Sequence, residues 1–203
     1  MWPLFLCAIV SVTIMIERYM ALRGIRRSNR GLVREMRTAL MEGRERQALT
    51  FLETRGGPVA HLLTLAVKNR HLSQMRLESL MEEVAIEETP TLARGLSILD
   101  TIITIAPLLG LLGTVTGMIR AFQVVAISSG MSAPAAITGG VAEALIATAS
   151  GLAIAIVTLV GYNYLSDQVK AVVTEMEIGA TKVVNTLTAL TPDMEDPYAT
   201  AKI

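Results

Sequence analysis

Glu143 is the residue best placed to do chemistry in this chain of 203 residues. It lies in the apolar stretch Ile137 to Tyr164, ITGGVAEALIATASGLAIAIVTLVGYNY. That stretch is long enough to cross a bilayer. A carboxylate in hydrocarbon costs about 3 kcal/mol or more, so it needs a partner or a task. No Lys, Arg or His shares the stretch. A carboxyl so placed can take up and release a proton, or it can hydrogen-bond between helices as a purely structural group. Thr114 and Thr148 lie in the same dry region and offer hydroxyls that could relay a proton or hold water. Their simpler role, and that of Thr116, is to bond the carbonyl one turn back on their own helix.

The surrounding pattern says how such a carboxyl is positioned. Glu143, Ala147, Gly151 and Ala155 recur every four residues, with Gly140, Ala144 and Thr148 in the adjacent row. Spacing of four places each row on one slanting helical face. Lipid does not require small residues, whereas close helix packing does. Glu143 is therefore expected on a small, packable face that points into a bundle or a pore.

A second apolar stretch, Leu96 to Val125, reads LSILDTIITIAPLLGLLGTVTGMIRAFQVV. Pro107 lacks an N–H and should bend or loosen this helix. Gly113 and Gly117 form a GxxxG pair that lets another helix approach. GLLGTVTG lacks the Lys-Ser/Thr ending of a phosphate-binding loop and lies inside apolar sequence, so it does not indicate nucleotide binding. Arg120 lies toward the far end, where it can snorkel or meet an acidic group. From Thr101 to Ser166, Arg120 and Glu143 are the sole charged residues.

A third apolar run, Trp2 to Ile16, comes first in the chain and is followed by Arg18, Arg23, Arg26, Arg27 and Arg30. A secretory signal carries its positive charge before the apolar run, so an uncleaved anchor is expected. The trailing arginines place the N-terminus outside and the following residues in the cytoplasm. Between Gly24 and Gly95 the pattern is helical and polar. Leu32, Val33, Met36 and Leu40 share a face, Gly56-Gly57-Pro58 breaks the chain, and Leu77, Leu80, Met81 and Val84 line a longer helix. The acidic residues Glu82, Glu83, Glu87 and Glu88 fit a solvated face of that helix. After Asp167, Val169, Val172, Val173 and Met176 continue an amphipathic stretch, and the Pro-rich acidic end is expected to be disordered.

The expected fold class is an all-α membrane protein. Residues 1–22 form the first transmembrane helix, 23–96 a cytoplasmic helical domain and 97–127 the second span. Residues 128–136 form a periplasmic turn, 137–166 the third span, and 167–203 a cytoplasmic helix and tail. His61 and His71 stand apart, so no metal site is expected. Cys7 cannot pair within the chain. No nucleophile–base set points to an enzyme. No cofactor and no nucleic-acid partner are indicated.

Two segments resemble the ExbB/TolQ/MotA proton-channel family: Ala106 to Ile119, APLLGLLGTVTGMI, and Gly140 to Leu152, GVAEALIATASGL. Their order and spacing fit, as does the three-span plan, which is closer to ExbB or TolQ than to four-span MotA. The resemblance implies a homopentameric pore in the bacterial inner membrane, lined by the second and third spans. It implies two copies of an ExbD- or TolR-like single-span partner in the pore, bringing a titratable Asp, and a TonB- or TolA-like protein beyond. Glu143 matches the family's pore glutamate, and Thr114 and Thr148 match its pore threonines. Gly113, Gly117, Ala147, Gly151 and Ala155 are expected to pack helices. The implied function is a proton-channel or motor subunit that spends the proton-motive force on periplasmic or outer-membrane work. The remaining alternatives are a structural scaffold and a sodium-coupled member of the same family.

Overall fold

The computed structural model describes residues 2–29, 31–127 and 133–190. These residues form α1 (Trp2–Asn29), α2 (Leu32–Met41), α3 (Glu45–Arg55), α4 (Pro58–Lys68), α5 (Gln74–Leu92), α6 (Leu96–Ile127) and α7 (Ala133–Leu190). No strand occurs among the described residues. Three helical stretches are long and apolar enough to cross a membrane: Trp2–Met41, Leu96–Val124 and Thr138–Ala189. With this pattern the chain is an all-helical membrane protein.

The long helices run further than composition alone indicates. α1 does not stop near residue 22 but continues through Gly24 to Asn29. A single interior Gly costs a helix only about 1 kcal/mol, too little to end one. α7 likewise carries the third apolar stretch straight into the amphipathic residues after Asp167. α6 passes through Pro107 without interruption. Of the expected turn at 128–136, Ala133 onward already belongs to α7. Residues 128–132 and the tail from Thr191 lie outside the described residues.

The chain divides into two compact units. The first comprises Met1–Tyr19 and Arg94–Ser166, so it holds the apolar part of α1, all of α6 and the first part of α7. Leu4, Ile102, Ala106 and Ala155 form its buried cluster, with Cys7, Val10, Leu109 and Ile154 packed around it. Lower down, a Cβ on Gly161 would fall on the Met15 side chain, so glycine lets α1 close on α7. Tyr19 and Tyr164 stack with ring centroids 6.1 Å apart. Gly95 has φ +80°, and a Cβ there would sit 3.2 Å from Ile14 Cγ2. It supplies the left-handed residue that ends the segment after α5 and starts α6. Leu108, Leu111, Leu112, Leu145, Ile156 and Val160 remain exposed on this unit. Apolar outer faces of this extent suit hydrocarbon or neighbouring helices, not water.

The second unit comprises Met20–Ala93 and Asp167–Ile203. Its centre is α4, whose Val59, Ala60, Leu62, Leu63, Ala66 and Val67 are all buried. A helix apolar nearly all round belongs in the middle of a bundle. Pro58 opens it at a position where the missing N–H costs nothing. Leu32, Met36 and Leu40 of α2 and Leu77, Met81 and Val84 of α5 turn their apolar stripes inward. Val172, Met176 and Val183 of α7 complete the core. Glu82, Glu83 and Glu87 are exposed, which is the solvated face that the charge pattern indicates. Buried Asn29 donates its amide to Glu175 Oε2 at 3.1 Å, and Arg26 bonds Gln168. Exposed pairs such as Lys68–Glu53 at 3.3 Å add at most about 1 kcal/mol each.

Candidate functional site: the seam between α6 and α7

Small residues bring α6 and α7 into backbone contact over four turns. A Cβ on Gly113 would lie 2.6 Å from Ala147 Cβ, and one on Gly117 would lie 2.8 Å from Ala144 Cβ. A Cβ on Gly140 would lie 2.7 Å from Ala121 Cβ. Gly151 is tighter, because its Cβ would lie 2.5 Å from the Ala106 carbonyl oxygen and 3.2 Å from Gly110 Cα. Numbers rise along one helix as they fall along the other, so the pair is antiparallel. Association in lipid has no hydrophobic drive between helices and depends on such close packing.

Thr148 adds a polar tie. Its Oγ1 donates to the Gly110 carbonyl across the seam at 3.0 Å. This differs from the own-helix bond expected by default, because Gly110 has no side chain to keep α7 away. Thr114 does bond its own helix, to the Leu111 carbonyl at 2.6 Å. Thr116 does the same, toward Leu112 at 3.0 Å and Gly113 at 3.2 Å.

Glu143 is placed differently from the expectation that put it on the packed row. Ala147, Gly151 and Ala155 of that row are buried, whereas Glu143 is exposed. The reason is helical pitch. A strict four-residue row slants across the helix, because a turn takes 3.6 residues. The packed stripe is instead Gly140, Ala144, Ala147, Gly151 and Ala155, and Glu143 stands at its edge. Glu143 has no hydrogen-bond or ion-pair partner among the described residues. Arg120 is also exposed and has none.

The residues brought together are thus Gly113 with Ala147, Gly117 with Ala144, and Thr148 with Gly110. Pro107 is half-buried next to Ala106, whose carbonyl Gly151 meets. Sequence reasoning passed over Gly110 as an acceptor and Ala106 and Ala121 as contact residues. The available signal was their spacing from Gly113 and Gly117, which continues one stripe along α6. Among the described residues no three His, Cys, Asp or Glu side chains gather to hold a metal ion.

Comparison with known proteins bears on this arrangement. Residues 57–178 match the model of the MotA/TolQ/ExbB proton channel family. A putative biopolymer transport protein ExbB-like 1 of Synechocystis is 35% identical over 167 residues, covering 81% of this chain and 66% of that protein. A putative biopolymer transport protein ExbB homolog of Methanothermobacter thermautotrophicus is 32% identical over 164 residues, covering 80% of this chain and 58% of that protein. Biopolymer transport protein exbB1 of Vibrio cholerae is 31% identical over 171 residues, covering 81% and 74%. The chain spans about three-fifths of the length of the first two relatives. With a family match that takes in both halves of the glycine-alanine seam and Glu143, the chain belongs to the MotA/TolQ/ExbB proton channel family.

Proposed function

We propose that this chain is the channel subunit of an energy-transducing complex in the bacterial inner membrane. In this reading five copies surround a pore, with the N-terminus of each in the periplasm and the C-terminus in the cytoplasm. Two single-span ExbD- or TolR-like helices occupy the pore and supply a titratable Asp of their own. A TonB- or TolA-like protein receives the work on the periplasmic side.

The observation that carries the reading is the placement of Glu143. It is an exposed, unpartnered carboxyl on a spanning helix whose neighbouring face is locked by glycine and alanine. The rigid seam fixes where the carboxyl is, and exposure leaves it free to meet a partner helix. Thr148 and Thr114 lie toward the other edge of the seam and would act as polar relays where a pore contact reaches that edge. A proton bound by the partner's Asp removes the cost of carrying that charge past apolar side chains. Each proton yields about 2.3 kcal/mol per 100 mV of potential. Released stepwise, that energy can turn or shift the partner helices against the surrounding ring.

Vesicles containing the assembled complex test the coupling ion. An imposed proton gradient in sodium-free buffer should drive uptake that Glu143→Gln abolishes. Uptake that requires sodium would move the chain to the sodium-coupled branch of the family. Unaltered proton uptake in Glu143→Gln, with the complex assembled, would leave Glu143 a structural role only.

A further inference from the structure

Arg120 and Glu143 are the two charges between Thr101 and Ser166, one on each helix of the seam. They flank the same contact. Arg120 adjoins Ala121, which packs on Gly140, and Glu143 adjoins Ala144, which packs on Gly117. Arg120 lies three residues beyond Gly117, a rise of about 4.5 Å. A fully extended Arg side chain spans that offset. The edges agree as well as the levels. At roughly 100° per residue, Arg120 and Glu143 are turned from the seam in one sense, and Thr114 and Thr148 in the other. In an antiparallel pair, residues turned in the same sense lie on the same edge.

Both charges are exposed, and neither has a partner among the described residues. Among the described residues no other charged group lies on the faces around them. Besides this pair, α6 and α7 carry only Tyr162 and Tyr164 as titratable groups between Thr101 and Ser166, about five turns from Glu143, and from Trp2 to Ile16 α1 holds only Cys7. Each charge alone in hydrocarbon is costly, and two such groups on one edge at adjacent levels relieve each other. Arg is suited to this, because its planar fork meets a carboxylate with two parallel bonds.

From this juxtaposition we infer that Arg120 is the positioning residue for Glu143, pairing with it across the α6–α7 seam of the same chain. The pair holds the carboxyl at one level of the membrane when no partner helix engages it. This rests on Glu143 being the ion-handling group, but the pairing itself is measured independently of transport.

The experiment is a double-variant cycle on the purified, membrane-reconstituted protein, using Arg120→Gln, Glu143→Gln and the combination. The readouts are the thermal midpoint of unfolding and, in cells, proton-motive-force-dependent work. Pairing predicts a lower midpoint for Arg120→Gln, and a double variant that recovers much of that loss. It also predicts that Arg120→Lys, which keeps the charge but not the fork, retains more of the midpoint and the work than Arg120→Gln, which loses most of the work. Midpoint losses that simply add in the double variant would overturn the pairing. So would an Arg120→Gln protein with unchanged midpoint. If Glu143→Gln retains full work while the midpoints are non-additive, the pairing stands and the transport role of Glu143 falls.

Discussion

Thr148 Oγ1 donates to the Gly110 carbonyl at 3.0 Å, a side chain of α7 bonded to the backbone of α6. In lipid such a bond has no competing water, and cross-helix bonds of this type are worth about 1 kcal/mol. Thr148→Val keeps the shape and deletes the donor. It should lower stability by about that amount, whereas Thr148→Ser should hold it. Denaturation of the reconstituted protein in mixed micelles checks the difference.

The seam predicts a sharp contrast between glycines on α7. Gly151→Ala would push a Cβ to 2.5 Å from the Ala106 carbonyl oxygen, and backbone cannot swing aside. Overpacking of this kind costs about 1–3 kcal/mol. Gly139 has nothing within 4 Å of an added Cβ. Gly139→Ala should be neutral or gain up to about 1 kcal/mol from helix propensity. The same unfolding assay on both variants separates packing from propensity.

In the second unit, buried Asn29 donates to Glu175 Oε2 at 3.1 Å. Glu175→Ala leaves that amide without its acceptor, at a cost of about 1–3 kcal/mol. Glu175→Gln retains an acceptor oxygen and should cost less. Hydrogen exchange at the end of α1 and along α7 after Asp167 should report the loss locally.

Much of this was legible in residue patterns, for identifiable reasons. Long apolar runs specify spanning helices because lipid leaves backbone groups no partner except each other. Gly113, Gly117 and Ala147 were legible as contact residues because small size has little other use in a span. The position of Glu143 was less so. A four-residue repeat and the true 3.6-residue pitch diverge over three turns, and that drift moves Glu143 to the stripe's edge. The bond Thr148 makes departs from the own-helix default for a different reason. Its bond depends on how near α6 comes, and that distance is a property of two helices together, not of either sequence segment.

The most direct test of the central claim is proton-motive-force-dependent work in cells whose only copy carries Glu143→Gln or Glu143→Ala, with assembly verified in the membrane fraction. The account predicts that both variants assemble and that both lose the work. Full work in both assembled variants would contradict it and remove Glu143 from the mechanism.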